Sequence, residues 1–152
     1  MAYPEDRAHA VGPFGSYRRD KTIAFTGGAG LGLAGSPIPL FAVTGSVWAH
    51  VVSFCTESLT ESGATATISV GISTDTAGLI AVTNAVNIDI GEIWWDATPV
   101  AMEVIASWGG AFIAGGNNII GTVAGGFNVT DGTLTFVCFW TPLSSDGRVV
   151  AS

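Results

Sequence analysis

From Leu40 onward, apolar residues recur at every second position. Val47, Ala49, Val51, Ser53 and Cys55 fall on one side of an extended chain, while Trp48, His50, Val52 and Phe54 fall on the other. Ala66, Ile68, Val70 and Ile72 alternate in the same way with Thr65, Thr67, Ser69 and Gly71. A period of two is the mark of β-strands. The same reading predicts strands over 78–82, 86–90, 93–95, 100–107, 118–123 and 133–141, separated by Gly, Asn and Asp at hairpin spacing. In the last of these, Leu134, Phe136, Cys138 and Trp140 form one side, with Val137 and Phe139 on the other. A strand apolar on both sides lies inside a sandwich or beneath a subunit neighbour. Asp131-Gly132 and Asp146-Gly147 read as turns, and 99–107 is the one stretch that also fits a helix.

The pattern is absent before residue 40. Residues 1–20 hold Pro4, Gly12, Pro13 and Gly15 without periodicity, which suits an extended arm that orders against a partner. A short strand is predicted over 21–26, followed by GGAGLGLAGSPIP at 27–39, a loop or a second piece of arm. The expected fold is therefore all-β: a compact antiparallel β-sandwich or barrel-like domain at 40–152, preceded by an extended N-terminal arm and Gly/Pro-rich segment at 1–39. A chain of 152 residues is one ordinary domain.

Charge sharpens this division. Every basic residue is Arg7, Arg18, Arg19, Lys21 or Arg148, so 22–147 carries nine carboxylates and no Lys or Arg. Such a body cannot form internal Lys or Arg salt bridges, so its stability rests on apolar burial and backbone hydrogen bonds. Net charge of −7 argues against nucleic acid as a partner. The mean hydropathy of +0.51 raises the question of a membrane. Gly109, Gly110, Gly115, Gly116, Asn117 and Asn118 break the uncharged run 104–130 into hairpins, so no spanning helix is expected. The first 21 residues lack an apolar signal core, so the protein is expected to stay where it is made. Cys55 and Cys138 then read as reduced and buried.

Catalytic chemistry finds little support. Gly30, Gly32 and Gly35 spell GxGxxG after a strand, yet Ser36, Pro37, Ile38 and Pro39 block the helix that a dinucleotide loop must enter. His9 and His50 have no second His or Cys at ligand spacing, and no GxSxG accompanies His50. Glu92 and Asp96 flank Trp94, but four residues along a strand separate them by about 13 Å, too far for a glycosidase pair. Asn128-Val129-Thr130 is a sequon without evidence of secretion. No enzyme, cofactor or metal site is expected.

Three segments carry a resemblance: TLTFVCFWTPLSSDGRVVAS from Thr133 to Ser152, ATATISVGI, and IDIGEIWWDATP. The chain resembles the small capsid decoration, or cement, proteins of tailed bacteriophages, most specifically through Phe139, Trp140, Thr141, Pro142, Leu143, Ser144, Ser145, Asp146 and Gly147. The resemblance implies a virion protein on the outer surface of an icosahedral head, made in the host bacterial cytoplasm, usually a trimer, which ties major capsid protein subunits together. No catalytic residue comes with it. The chemistry of the arm assigns capsid contacts to Arg7, Arg18, Arg19 and Lys21, and the excess of apolar strand surface assigns a homotrimer interface to Trp48, Phe54, Phe139 and Trp140. The alternative is a carbohydrate- or receptor-binding β domain of a tail fibre, with Trp94, Trp95 and Trp108 stacking on sugars.

Overall fold

A computed structural model describes residues 17–101 and 110–152. Their eleven strands are β1 (Tyr17–Ala24), β2 (Ile38–Thr44), β3 (Val47–Glu61), β4 (Thr67–Ile72), β5 (Asp75–Asn84), β6 (Glu92–Trp94), β7 (Val100–Ala101), β8 (Ala111–Ile113), β9 (Ile119–Ala124), β10 (Val129–Pro142) and β11 (Arg148–Ala151). They form two antiparallel sheets, ordered β1-β10-β3-β6-β7, with β8 also on β3, and β11-β2-β9-β4-β5. The sheets pack face to face as a β-sandwich rather than closing into a barrel.

The longest pairing is β3 with β10, running from Val47 opposite Pro142 to Val129 opposite Glu61. Side chains on adjacent strands point the same way at paired positions, so Val47, Ala49, Val51 and Cys55 join Leu134, Phe136, Cys138 and Trp140 in one buried layer. The second sheet answers with Ile38, Leu40, Phe41, Val43, Ile68, Val70, Ile119, Val123 and Val149. Trp94 meets Phe136 edge to face, with ring centroids 6.3 Å apart. In β2 strict alternation would expel one member of the Leu40-Phe41 pair. A register shift between Pro39 and Phe41 lets both be buried.

Several expectations are corrected by backbone chemistry. The first strand begins at Tyr17, not residue 21, and all eight of its residues pair with β10. Residues 17–24 therefore belong to the sandwich as a full strand, although the expected boundary put 1–39 before the β-rich body. The charged stretch Arg18, Arg19, Asp20, Lys21 concealed the strand because it forms a sheet edge, where charge discourages unwanted pairing. Asp131-Gly132 is not a hairpin turn but a bulge within β10, with Gly132 at φ +105° and register shifts on both sides. The strand expected over 86–90 does not form: Ala85–Asn87 is a 3-10 turn whose cap, Asn84 Oδ1, accepts from Val86 N. The expected strand or helix at 100–107 is β7 at its start and otherwise lies outside the described residues.

The glycine-rich segment is a built loop. Leu31 N donates to Gly28 O, Val129 N donates to Gly32 O at 2.9 Å, and Phe25 N donates to Gly132 O at 2.9 Å, so the loop is tied to both sides of the β10 bulge. Gly32 has φ +110°, and a Cβ there would lie 2.2 Å from Val129 O. Backbone occupies that space, so no side chain can be moved aside. Gly32→Ala should therefore destabilise the protein by about 2–4 kcal/mol in urea unfolding, whereas Gly35→Ala, with open space around it but a similar positive φ, should cost only about 1 kcal/mol. Equal losses at the two positions would show that the Gly32 contact is not a constraint.

Candidate functional site

The pairing of β1, β10 and β3 builds a second apolar layer on the side of the first sheet away from the core. Arg18, Phe139 and His50 share one row, Asp20, Val137 and Val52 the next, and Thr22, Thr135 and Phe54 a third. Trp48 pairs with Phe112 of β8, and Phe54 with Ile93 of β6. Val52 and Val137 are only 2% exposed and His50 is buried, yet none belongs to the central core. Trp48, Phe54 and Phe139 are half-buried there, and Phe112 is 78% exposed. The chain at Gly110 lies so close to the Trp48 indole that a Cβ would fall 2.2 Å from Cζ2.

Of the four aromatic interface candidates, this face gathers Trp48, Phe54 and Phe139. Trp140 is a correction. It shares the parity of Phe136 and Cys138, points into the sandwich with 2% exposure, and stacks on Tyr17 at 4.7 Å between centroids. It cannot contact a partner while the protein is folded. The parity was visible in the sequence, where Trp140 ends the Leu134-Phe136-Cys138 row. Phe112 was missed, because a three-residue strand between glycine-rich turns has no readable period.

The basic candidates are also relocated. Arg7 lies outside the described residues. Arg18, Arg19 and Lys21 sit on β1 rather than on a free arm. Arg18 makes a two-pronged contact with Asp20, Nε to Oδ1 at 2.8 Å and Nη2 to Oδ2 at 2.6 Å, on an exposed surface. Hydrogen bonding to Asp20 raises the pKa of the guanidinium further. Lys21 Nζ donates to the carbonyl of Ser152, joining the edge of one sheet to the end of the other.

Trp94 is not available to the tryptophan platform of the tail-fibre alternative. Trp94 is wholly buried and its Nε1 donates to Thr83 Oγ1 at 2.8 Å, while Trp95 is half-buried and Trp108 lies outside the described residues. Glu92 and Asp96, whose spacing already ruled out a glycosidase pair, serve turns. Glu92 Oε2 accepts from Asp89 N at 2.8 Å and Asp96 Oδ1 from Thr98 N at 2.8 Å. Asn128 of the sequon is likewise structural, its Oδ1 accepting from Ala34 N at 3.0 Å. His9 lies outside the described residues. Among the described residues no three His, Cys, Asp or Glu side chains converge as a metal site, and no helix is long and apolar enough to cross a membrane.

No family model, curated protein or solved structure matches the chain.

The cysteines are free and buried. Cys55 pairs with Leu134 and Cys138 with Val51, so the two lie four residues apart along the ladder, beyond disulfide reach. Burial pushes the Cys55 thiol up to about 11; a hydrogen bond to Glu57 O opposes the rise, while Asp89, Glu92 and Glu57 add to it. Burial alone drives Cys138 above the usual thiol range. At pH 8 the Cys55 thiolate is then about one part in a thousand. The folded protein should leave both thiols unreacted with a chromogenic disulfide reagent at pH 8 and release two equivalents once unfolded. Linkage follows the same sign: these raised thiols leave stability intact below pH ~9 and erode it as pH rises toward 11, because the unfolded chain ionises first. Rapid labelling of either thiol in the native state would contradict this burial.

Proposed function

We propose that this chain is a virion structural protein, a capsid decoration or cement protein on the outer face of an icosahedral bacteriophage head. In this reading it bridges and stabilises major capsid protein subunits and acts as a homotrimer. The observation that carries the proposal is the outward layer on β1, β10 and β3, where the half-buried Trp48, Phe54 and Phe139 flank the buried Val52–Val137 pair on the outer side of a sandwich that already has a full core. An enzyme needs a positioned acid, base or nucleophile. A cement protein needs a rigid body and an adhesive face.

The adhesive chemistry follows from the same residues. Completing the burial of a large apolar side chain is worth about 1.5–3 kcal/mol, so two or three such contacts per copy, repeated over a trimer, hold without any ionic contribution. The acidic body adds a long-range preference for basic surfaces and sets the rate of encounter more than the strength of the complex. Docking of the sandwich to two capsid subunits at once stabilises the assembled shell by mass action. Trp94 is withdrawn into the core, which takes one of the three tryptophans of the tail-fibre reading out of reach of a sugar.

Heads assembled without the protein should be intact but lose their DNA at a lower temperature than complete heads, and adding the purified chain should restore the higher temperature. Phe139→Ser should restore it less well, by about tenfold in the concentration required. Electron microscopy of labelled particles should place the protein on the shell. Label confined to the tail, or heads equally heat-resistant with and without the protein, would refute the proposal.

A further inference from the structure

Where β8 of the first sheet meets the β4–β5 hairpin of the second, a pocket of about 80 Å³ is lined by Gly71, Ile72, Asp75, Gly78, Leu79, Ala111, Phe112 and Ile113. It is far smaller than the roughly 300–1,000 Å³ of a cofactor or sugar site. Its lining is apolar except for one carboxylate. Gly78 makes room for that carboxylate, since a Cβ there would lie 2.6 Å from Asp75 Oδ2, and Gly71 makes room for the hairpin backbone, since a Cβ there would lie 2.0 Å from the Asp75 carbonyl oxygen. Phe112, at 78% exposure the most exposed large apolar side chain described, supplies another wall.

A narrow apolar slot with a single anionic group fits one kind of side chain. Methylenes pack against Ile72, Leu79 and Phe112, the ammonium reaches Asp75, and the aromatic ring favours a nearby cation. A slot of about 80 Å³ takes an unbranched stem tipped by a compact ammonium more readily than the broader planar guanidinium. We propose that this pocket receives a lysine side chain presented by a partner protein. The chain cannot fill it from its own body, since 22–147 has neither Lys nor Arg. Its single lysine, Lys21, is engaged with the Ser152 carbonyl. The lysine therefore comes from a different protein, and on the cement reading, on which this inference rests, that protein is the major capsid protein.

The pocket is testable without any virion. Nα-acetyl-lysine methylamide titrated into ¹⁵N-labelled protein should shift the amides of Gly71, Asp75, Gly78 and Phe112 saturably, with a dissociation constant in the millimolar range expected of a single side chain. The norleucine analogue, which keeps the stem and lacks the ammonium, should leave them unmoved. Asp75→Asn should weaken the response at least about tenfold. Phe112→Ala, which removes an exposed side chain and leaves the core untouched, should weaken it as well and carries the test if the Asp75 variant fails to fold. Absence of shifts with the lysine probe, equal shifts with norleucine, or an undiminished response in both variants would overturn the proposal. These outcomes leave the heat-resistance test of heads unaffected, so failure of the pocket and failure of the cement reading are read separately.

Discussion

The pairing of β3 with β10 is the interaction on which the rest of the molecule depends. It is the longest ladder in the fold, and each strand is apolar on both sides. One side faces the second sheet and makes the core; the other makes the outward layer of Trp48, Val52, Phe54, Val137 and Phe139. A slip of one residue would exchange the two layers, placing Phe136 and Trp140 outside and Val137 and Phe139 within. The Asp131-Gly132 bulge and the glycine-rich loop tied to its two sides lie at the Glu61 end of this ladder, where they help to fix its register.

Absence of basic residues from the body leads to a second constraint. Carboxylates that would elsewhere pair with Lys or Arg here satisfy backbone N–H groups and hydroxyls: Glu61 accepts from Ala66 N, Glu57 from Thr133 Oγ1 at 3.0 Å, and Asp146 from Ser144 Oγ at 2.6 Å. The salt bridge between Arg18 and Asp20 lies on an exposed edge, where such pairs contribute about 0–1 kcal/mol. The fold is accordingly held by packing and backbone hydrogen bonds rather than by ion pairs.

Much of this was legible in the chain. Alternation located β3, β4, β9 and β10, and the all-β class followed from it. What escaped has physical reasons. The strand character of β1 is masked because edge strands carry charge. Bulges at Phe41 and Gly132 break the period of two without ending a strand, so Asp131-Gly132 looked like a turn. The positive-φ glycines of 27–35 look like a flexible linker until Val129 O is seen filling the space beside Gly32. For the candidate site, three of the four aromatic positions share one face as their parity on paired strands dictates, and Trp140 lies in the core for the same reason. The Asp75 pocket joins segments nearly forty residues apart through a contact between sheets, which no local pattern encodes.

The apolar outer layer continues the ladder that makes the core, so the rigidity of the sandwich and the character of its outer face have one origin. Residue-resolved hydrogen exchange of the free protein tests that origin most directly. The account predicts that the slowest-exchanging amides are those of 51–55 and 134–138, where β3 and β10 pair, with β5, β7 and β11 exchanging earlier. A protein whose most protected amides lie in β2, β4 and β9 while the β3–β10 ladder exchanges freely would contradict it.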